Sequence, residues 1–426
     1  MNPKIMRRDD SKMVVQFEVP ISGSMLSDEE CLLDALNEAG CLVTGDLLKR
    51  FDTDGRRIEV GGVVYTARSC DTKTYQTPFG AVSVPRYVYQ TSRGGPIYCP
   101  LENKARIVGT ATPRFAKMVS SKYSALGAAE VVRDLKENHN RPVARSFVKN
   151  LADLVATVAE AKQEAWSYHV PALDEPVRTI TLGLDGTTIR MTDGSFRIAM
   201  VATIGLYDAN GIRLHTMYCG AAPEYGKERF MGLFEREIKR TKLLYPDSLY
   251  IGIADGASDN WPILEQYTTK QLIDFYHATG YLGNAVKAVF AAAKGQDRAR
   301  KWLDDACHDL KHKSGATARI LDDLREWLTW DLSDEKREAV SKAATYFTNN
   351  ESRMKYYSFT RKKLPIGSGV TEAACKTIIK QRLCKSGMKW KVPGASKVIS
   401  LRCLNQSKGR WKQFWSKIER YGFLLP

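Results

Sequence analysis

The sequence has no apolar run approaching the roughly 18 residues that a membrane helix needs, so no membrane span is expected. Its nine cysteines, at 31, 41, 70, 99, 219, 307, 375, 384 and 403, fall singly and form no CxxC pair. An odd count without a framework excludes a disulfide-stapled scaffold and points to reduced thiols. Lys4, Arg7 and Arg8 open the chain but no apolar stretch follows, so no secretory signal is expected and the compartment to expect is the cytoplasm or nucleoid. No GxGxxG follows an apolar strand and no Walker loop occurs, which leaves a nucleotide cofactor without a cradle. Repeats and low-complexity tracts are missing too.

Acidic residues are scarce in one place. Residues 353–420 hold 18 Lys and Arg against only Glu372 and Glu419, so the formal charge of +16 is concentrated there and the rest of the chain is close to neutral. Tyr356, Tyr357, Phe359, Trp390, Trp411, Phe414 and Trp415 are interleaved with these cations. Like charges so crowded repel one another unless a polyanion meets them, and aromatics among them suit a nucleic-acid backbone. The plainer alternative is a solvated basic face. The 43% of hydrophobic and 26% of charged residues are those of a globular chain, and 426 residues suffice for two or three domains.

Along the chain the texture changes three times. Residues 27–51 read as a helix, and 57–69 and 73–92 alternate like short strands around Gly61-Gly62 and Pro78-Phe79-Gly80. From 112 to 166 the pattern is helical, broken at Asn138-His139-Asn140-Arg141-Pro142, where Pro142 is expected to open a second helix. Arg141, Arg145 and Lys149 would then share one face of it, as in a DNA-reading helix-turn-helix and equally in an ordinary surface helix. Beyond a linker at 171–176, residues 177–189, 196–207 and 212–220 read as three strands joined by Asp193-Gly194 and Asn210-Gly211 turns. A helix (224–244), a strand (248–254), a helix (260–269) and a strand (272–276) follow. The order β-β-β-α-β-α-β is that of a ribonuclease H-like mixed five-stranded α/β sheet, in which the first and fourth strands are parallel neighbours. Residues 283–346 are helical again and read as an all-α insertion, before a helix at 370–383.

Asp185 follows the apolar stretch of the first strand, and Asp255 that of the fourth. Parallel neighbouring strands bring the two carboxylates together. Each precedes a glycine that would let the chain turn away at once. Paired carboxylates repel unless a cation lies between them, and oxygen donors suit Mg²⁺ or Mn²⁺. Glu372 is the expected third ligand, in the first turn of a helix capped by Ser368 or Thr371. Lys376 and Lys380 follow it on the same face, with Arg382, Lys385 and Lys389 beyond as further DNA contacts. Two ions held by such carboxylates suit an in-line displacement at phosphorus.

The segments Leu184-Asp185-Gly186-Thr187-Thr188, Ile253-Ala254-Asp255-Gly256-Ala257, Ile273-Asp274-Phe275-Tyr276-His277-Ala278 and Gly367-Ser368-Gly369-Val370-Thr371-Glu372-Ala373 resemble the catalytic segments of DDE transposases of bacterial insertion sequences. The likeness is nearest to the Kra group, more distant to Mutator-type enzymes, and covers residues 177–390. It implies the ribonuclease H-like, integrase-type fold, Asp185, Asp255 and Glu372 as the catalytic triad and ligands of two Mg²⁺ (or Mn²⁺) ions, His277 in a supporting role with Asp274 a weaker neighbour, and the helical insertion. It implies double-stranded DNA (element ends and target) as partner, a dimer or larger assembly on it, and a bacterial cytoplasmic, nucleoid-associated setting. Relatives often carry paired zinc-ribbon cysteines near the N-terminus, whereas Cys70 and Cys99 stand alone here. Cys307, His308 and His312 lack a fourth ligand and read as a solvated helix, and Trp327 and Trp330 as helix packing rather than a base-stacking surface.

The organisation expected is an α+β module at 1–110, a helix-turn-helix-like region at 111–170, a catalytic core at 171–282, the insertion at 283–350, and core completion with the basic region at 351–426. Two other readings remain: a nuclease of the same fold that hydrolyses without joining, and a non-catalytic DNA-binding descendant. Asp-Gly-Thr-Thr also resembles phosphate loops of sugar kinases and haloacid-dehalogenase phosphatases. The latter require an Asp where Gly183 stands, and a kinase leaves the basic region unexplained.

Overall fold

The computed structural model describes residues 3–163, 165–290 and 296–423. The chain forms two compact units, Met1–His169 with Ser400–Asn405 and Gly409–Pro426, and Val170–Ile399 with Gln406–Lys408.

In the first unit β1 (Lys4–Arg8) and β2 (Met13–Gln16) pair as a hairpin, and α1 (Met25–Lys49) packs on β5 of an antiparallel sheet. That sheet is β3 (Ile58–Val60), β4 (Val63–Gln76), β5 (Ala81–Thr91) and β6 (Gly94–Tyr98), in that order. The break expected near residue 70 does not occur. β4 runs unbroken to Gln76 because its polar residues alternate onto the exposed face, and the chain reverses only at Pro78-Phe79-Gly80. Leu48, Tyr75, Val82, Val84, Leu101 and Ile107 close the core beneath. Four helices follow, α2 (Pro100–Lys104), α3 (Pro113–Ala125), α4 (Ala128–His139) and α5 (Arg145–Ala161), and the terminal helix Arg410–Tyr421 (α16 in chain order) also belongs to this unit.

The second unit is α/β. Its strands are β7 (Thr179–Arg190), β8 (Phe196–Tyr207), β9 (Arg213–Ala221), β10 (Leu249–Ala254) and β11 (Lys270–Ile273). They form one mixed sheet in the order β11-β10-β7-β8-β9: β7, β8 and β9 are antiparallel, while β10 and β11 run parallel to β7. Asp193-Gly194 and Asn210-Gly211 make the two hairpin turns, with both glycines at positive φ. α6 (Glu228–Leu244) and α7 (Trp261–Tyr267) supply the crossovers, and a helical block follows: α8 (Phe275–Val289), α9 (Gln296–His312), α10 (Ala316–Thr329), α11 (Asp334–Asn350) and α12 (Tyr356–Arg361). Then come α13 (Gly369–Ala374), a π-helical turn (Cys375–Lys380), α14 (Gln381–Leu383) and α15 (Val392–Gln406), of which Ser400–Asn405 is counted with the first unit.

β7 is buried on both faces through Leu184, which accounts for its unbroken apolar run. Ile180, Leu182, Ile204, Ile251, Ile253, Phe230, Phe234 and Leu264 form the heart of a core that extends into the helical block. The last strand ends earlier than expected, at Ile273, because Asp274 caps α8 by accepting a hydrogen bond from the backbone N–H of His277. Among the described residues no helix is long and apolar enough to cross a membrane.

Candidate active site

Strand register sets the site. Gly252 of β10 pairs with Leu182 of β7, so Asp255 and Asp185 each stand three residues beyond one rung of a parallel ladder and emerge at one level. Ala254 pairs with Ile273 in turn, which brings Asp274, one residue past the end of β11, to the same level. The strand edge therefore gathers three acids. Gly186 does not turn the chain away as expected: β7 continues to Arg190 along β8, and Gly186 stays within it, its N–H donating to Asp185 Oδ1 at 2.7 Å. β10 does stop. Gly256 turns the chain at φ 101°, a conformation that excludes side chains, and a Cβ there would lie 3.0 Å from the Tyr346 ring.

Glu372 arrives from α13. Thr371 beside it is buried, its hydroxyl 2.7 Å from that of Thr203 on β8. The helix reaches the sheet because Gly183 has no side chain: a Cβ there would overlap Thr371 Oγ1 and lie 3.2 Å from the Ile253 carbonyl. Ser368 occupies the cap position, but neither it nor Thr371 supplies the side-chain cap expected. Instead the Ser368 N–H donates to Asp274 Oδ2, while Asp274 Oδ1 accepts from His277 N–H at 2.5 Å. The fully buried Asp274 thus ties the start of the Glu372 helix to the sheet edge, and the Phe275 N–H adds a bond to the Ile366 carbonyl at 3.1 Å. Asp274→Asn, which must turn an amide donor toward one of these N–H groups, is expected to cost about 2–3 kcal/mol in urea-unfolding measurements.

Asp185, Asp255, Glu372, His277, Lys376 and Lys380 all line one cleft of about 860 Å³. Burial first, then the charge of Asp255, raises the Asp185 carboxyl above its ordinary range, against bonds from Gly186 and Cys375 and the pull of Lys380. Burial also raises Glu372, with Asp274, Asp185 and Asp255 adding repulsion and His277 opposing it. His277 lies exposed in the first turn of α8, its ring edge-on to Tyr281 at 5.7 Å between centroids. Among the described residues no three His, Cys, Asp or Glu side chains are drawn together as a ready-made metal site. What the cleft offers is a set of hard oxygen donors, crowded enough to repel one another and flanked by two ammonium groups.

Other expected contacts divide. Lys389 is exposed and Lys385 half-buried. Arg382 is a correction: it is buried on α14, with its guanidinium 5.4 Å from the centre of the Trp390 ring, which is held there by its Nε1 bond to the Leu383 carbonyl. It serves packing and does not face solvent. Arg141 is a second correction. Asn140 ends α4 in the left-handed conformation and α5 starts only at Arg145, so Arg141 precedes the helix that Pro142 was expected to open. Its buried guanidinium donates to the Thr77 carbonyl (2.9 Å) and to Gln76 Oε1 (2.7 Å), over the Phe115 ring. Arg145 and Lys149 are exposed, and Lys149 pairs with Asp153 at 2.9 Å. Trp302, Trp327 and Trp330 pack within the helical block, and the His308 and His312 rings sit 4.6 Å apart.

No protein-family model matches the chain, and no curated protein is significantly similar to it.

One residue has no counterpart in the sequence reading. Tyr346 of α11 donates its hydroxyl to the Asp255 carbonyl at 2.7 Å and stacks on Tyr281 at 4.1 Å, which ties the helical block to the second acid. Nothing in a tyrosine 91 positions from its partner announces such a bond. The Asp274 cap was missed as well, because the strand was carried through it to 276, although an Asp between an apolar strand and a helix is a cap signal.

Proposed function

We propose that this protein is a DDE-type DNA transposase, which cleaves DNA at the ends of an insertion sequence and joins the freed 3′ hydroxyls to target DNA. The observation that carries the reading is the parallel register of β7 and β10, which raises Asp185 and Asp255 at one level in a cleft shared with Glu372, Lys376 and Lys380. The strand order β11-β10-β7-β8-β9 is the one expected of a ribonuclease H-like core, with the helical block as its insertion.

The donor set fits Mg²⁺ or Mn²⁺: all oxygen, no thiolate, and mutual repulsion that a cation would relieve. Asp185, Asp255 and Glu372 would hold the ions, which supply activation of the attacking oxygen and stabilisation of the leaving one. Lys376 and Lys380 offer charge to the phosphate being cut, and Asp274 and Thr371 fix the height of Glu372 over the sheet. Arg145, Lys149, Lys385 and Lys389 remain candidate backbone contacts. A chain that handles two DNA ends acts as a dimer or larger assembly, in the cytoplasm with the nucleoid.

The test is cleavage and joining of labelled duplexes, taken from the DNA flanking the gene, in Mg²⁺. Joined products support the transposase, cleavage without joining favours a nuclease, and binding without cleavage favours the non-catalytic descendant. Tyr346→Phe, which removes only the bond to the Asp255 carbonyl, is expected to raise the Mn²⁺ concentration for half-maximal cleavage about tenfold. The measurement is a metal titration at saturating DNA, and an unchanged midpoint would deny Tyr346 its positioning role.

A further inference from the structure

Outside the acidic cleft, the first unit holds a second, basic one of about 490 Å³. Lys104 and Arg106 line it at the end of α2, Arg114 and Lys117 in the first turns of α3, and Lys412 on α16, with Phe51 and Trp415 as its aromatic part. Among the described residues Lys104, Arg114, Lys117 and Lys412 form no ion pair, and the one acid that lines the cleft, Glu419, forms none either. Arg106 acts as a brace, its guanidinium donating to the carbonyls of Asn103, Glu419 and Arg420. The cations crowd one another: burial, then Arg114 and Lys412, push the Lys117 ammonium below its ordinary range.

A second observation points to a ligand. Trp415 is 6% exposed, lines the cleft, and its indole N–H is buried with no acceptor. A buried donor left unmatched costs free energy that an arriving acceptor recovers. Unpaired ammonium and guanidinium groups, the amino-terminal turn of a 13-residue helix and a free indole donor are all acceptor-seeking features, and the group that answers them is a phosphate.

We propose that this cleft is a docking site for the phosphodiester backbone of duplex DNA, in which Lys117, Arg114 and Lys412 hold phosphate oxygens and Trp415 supplies a neutral donor. The choice of DNA as the polyanion rests on the transposase reading. Contacts of this kind position a protein on the duplex without reading its sequence. They differ from the helix-face contacts expected at Arg141, Arg145 and Lys149, of which Arg141 is buried.

The experiment is fluorescence-anisotropy titration of the full chain with a labelled duplex of arbitrary sequence, in EDTA so that nothing is cut, across a salt series. Lys117→Gln/Lys412→Gln is expected to weaken binding alike for all duplex sequences, and to make the slope of log K against log salt shallower by about two. Trp415→Phe keeps an aromatic packing group and is expected to lower affinity several-fold without altering the slope, because a neutral donor releases no counterion. A double variant that retains its circular dichroism spectrum and shows the parent's slope would overturn this site and leave the transposase reading intact. Failure of the parent to bind any duplex would overturn both.

Discussion

Asp185→Asn, Asp255→Asn and Glu372→Gln are each expected to reduce DNA cleavage by about a thousandfold or more, since each removes one oxygen ligand from a site whose chemistry is charge stabilisation. The loss is expected without loss of the fold. The folded protein holds the Asp185 and Glu372 protons more tightly than an unfolded chain does, so ionising them on the way from acid to neutral pH opposes folding. A neutral amide removes that opposition while its carbonyl can still accept the Gly186 N–H. Metal-free melting temperatures of Asp185→Asn and Glu372→Gln should therefore equal or exceed the parent's. Added Mn²⁺ should raise the parent's melting temperature and leave the variants' nearly unchanged. A variant that melts well below the parent without metal would show that its acid serves the fold rather than the ions.

The second large effect is expected at a residue with no chemistry of its own. Gly183→Ala sets a methyl group against Thr371 Oγ1 under the helix that carries Glu372. Overpacking of this kind costs about 1–3 kcal/mol, and the helix must rise or tilt to accept it. Cleavage is expected to fall about a hundredfold, because a shift of about an ångström at a positioned group is enough. Thr371→Ala in the same chain opens the space again and should return part of both losses. That non-additivity, read in urea unfolding and in cleavage rate, separates a local wedge from general damage.

Much of the second unit was legible in the sequence because its signals are local. Apolar runs flanked by Asp193-Gly194 and Asn210-Gly211 announced the three antiparallel strands, and the expectation that the first and fourth strands lie side by side sufficed to pair Asp185 with Asp255. What escaped depends on distant partners. Arg141 and Arg382 read as surface charge because a cation in a basic stretch is ordinarily solvated, yet one finds the Thr77 carbonyl and the other an indole face. The end of β11 was misjudged because Phe275 and Tyr276 favour strands by composition, while the Asp274 cap commits them to a helix. Tyr346 and the wedge at Gly183 exist only once the chain has folded.

The π-helical turn at Cys375–Lys380 bears on how sequences of this kind should be compared. In a regular α-helix, residues spaced by four drift around the axis, so the eight positions from Glu372 to Lys380 would swing the lysine by about 80°. A π turn accommodates an extra residue and rotates less per residue, which reverses part of that drift. Both side chains consequently open on one cleft. A cousin of this chain lacking the additional residue would have to place its lysine at another interval from the glutamate, so an alignment column would show a mismatch where the chemistry has been kept.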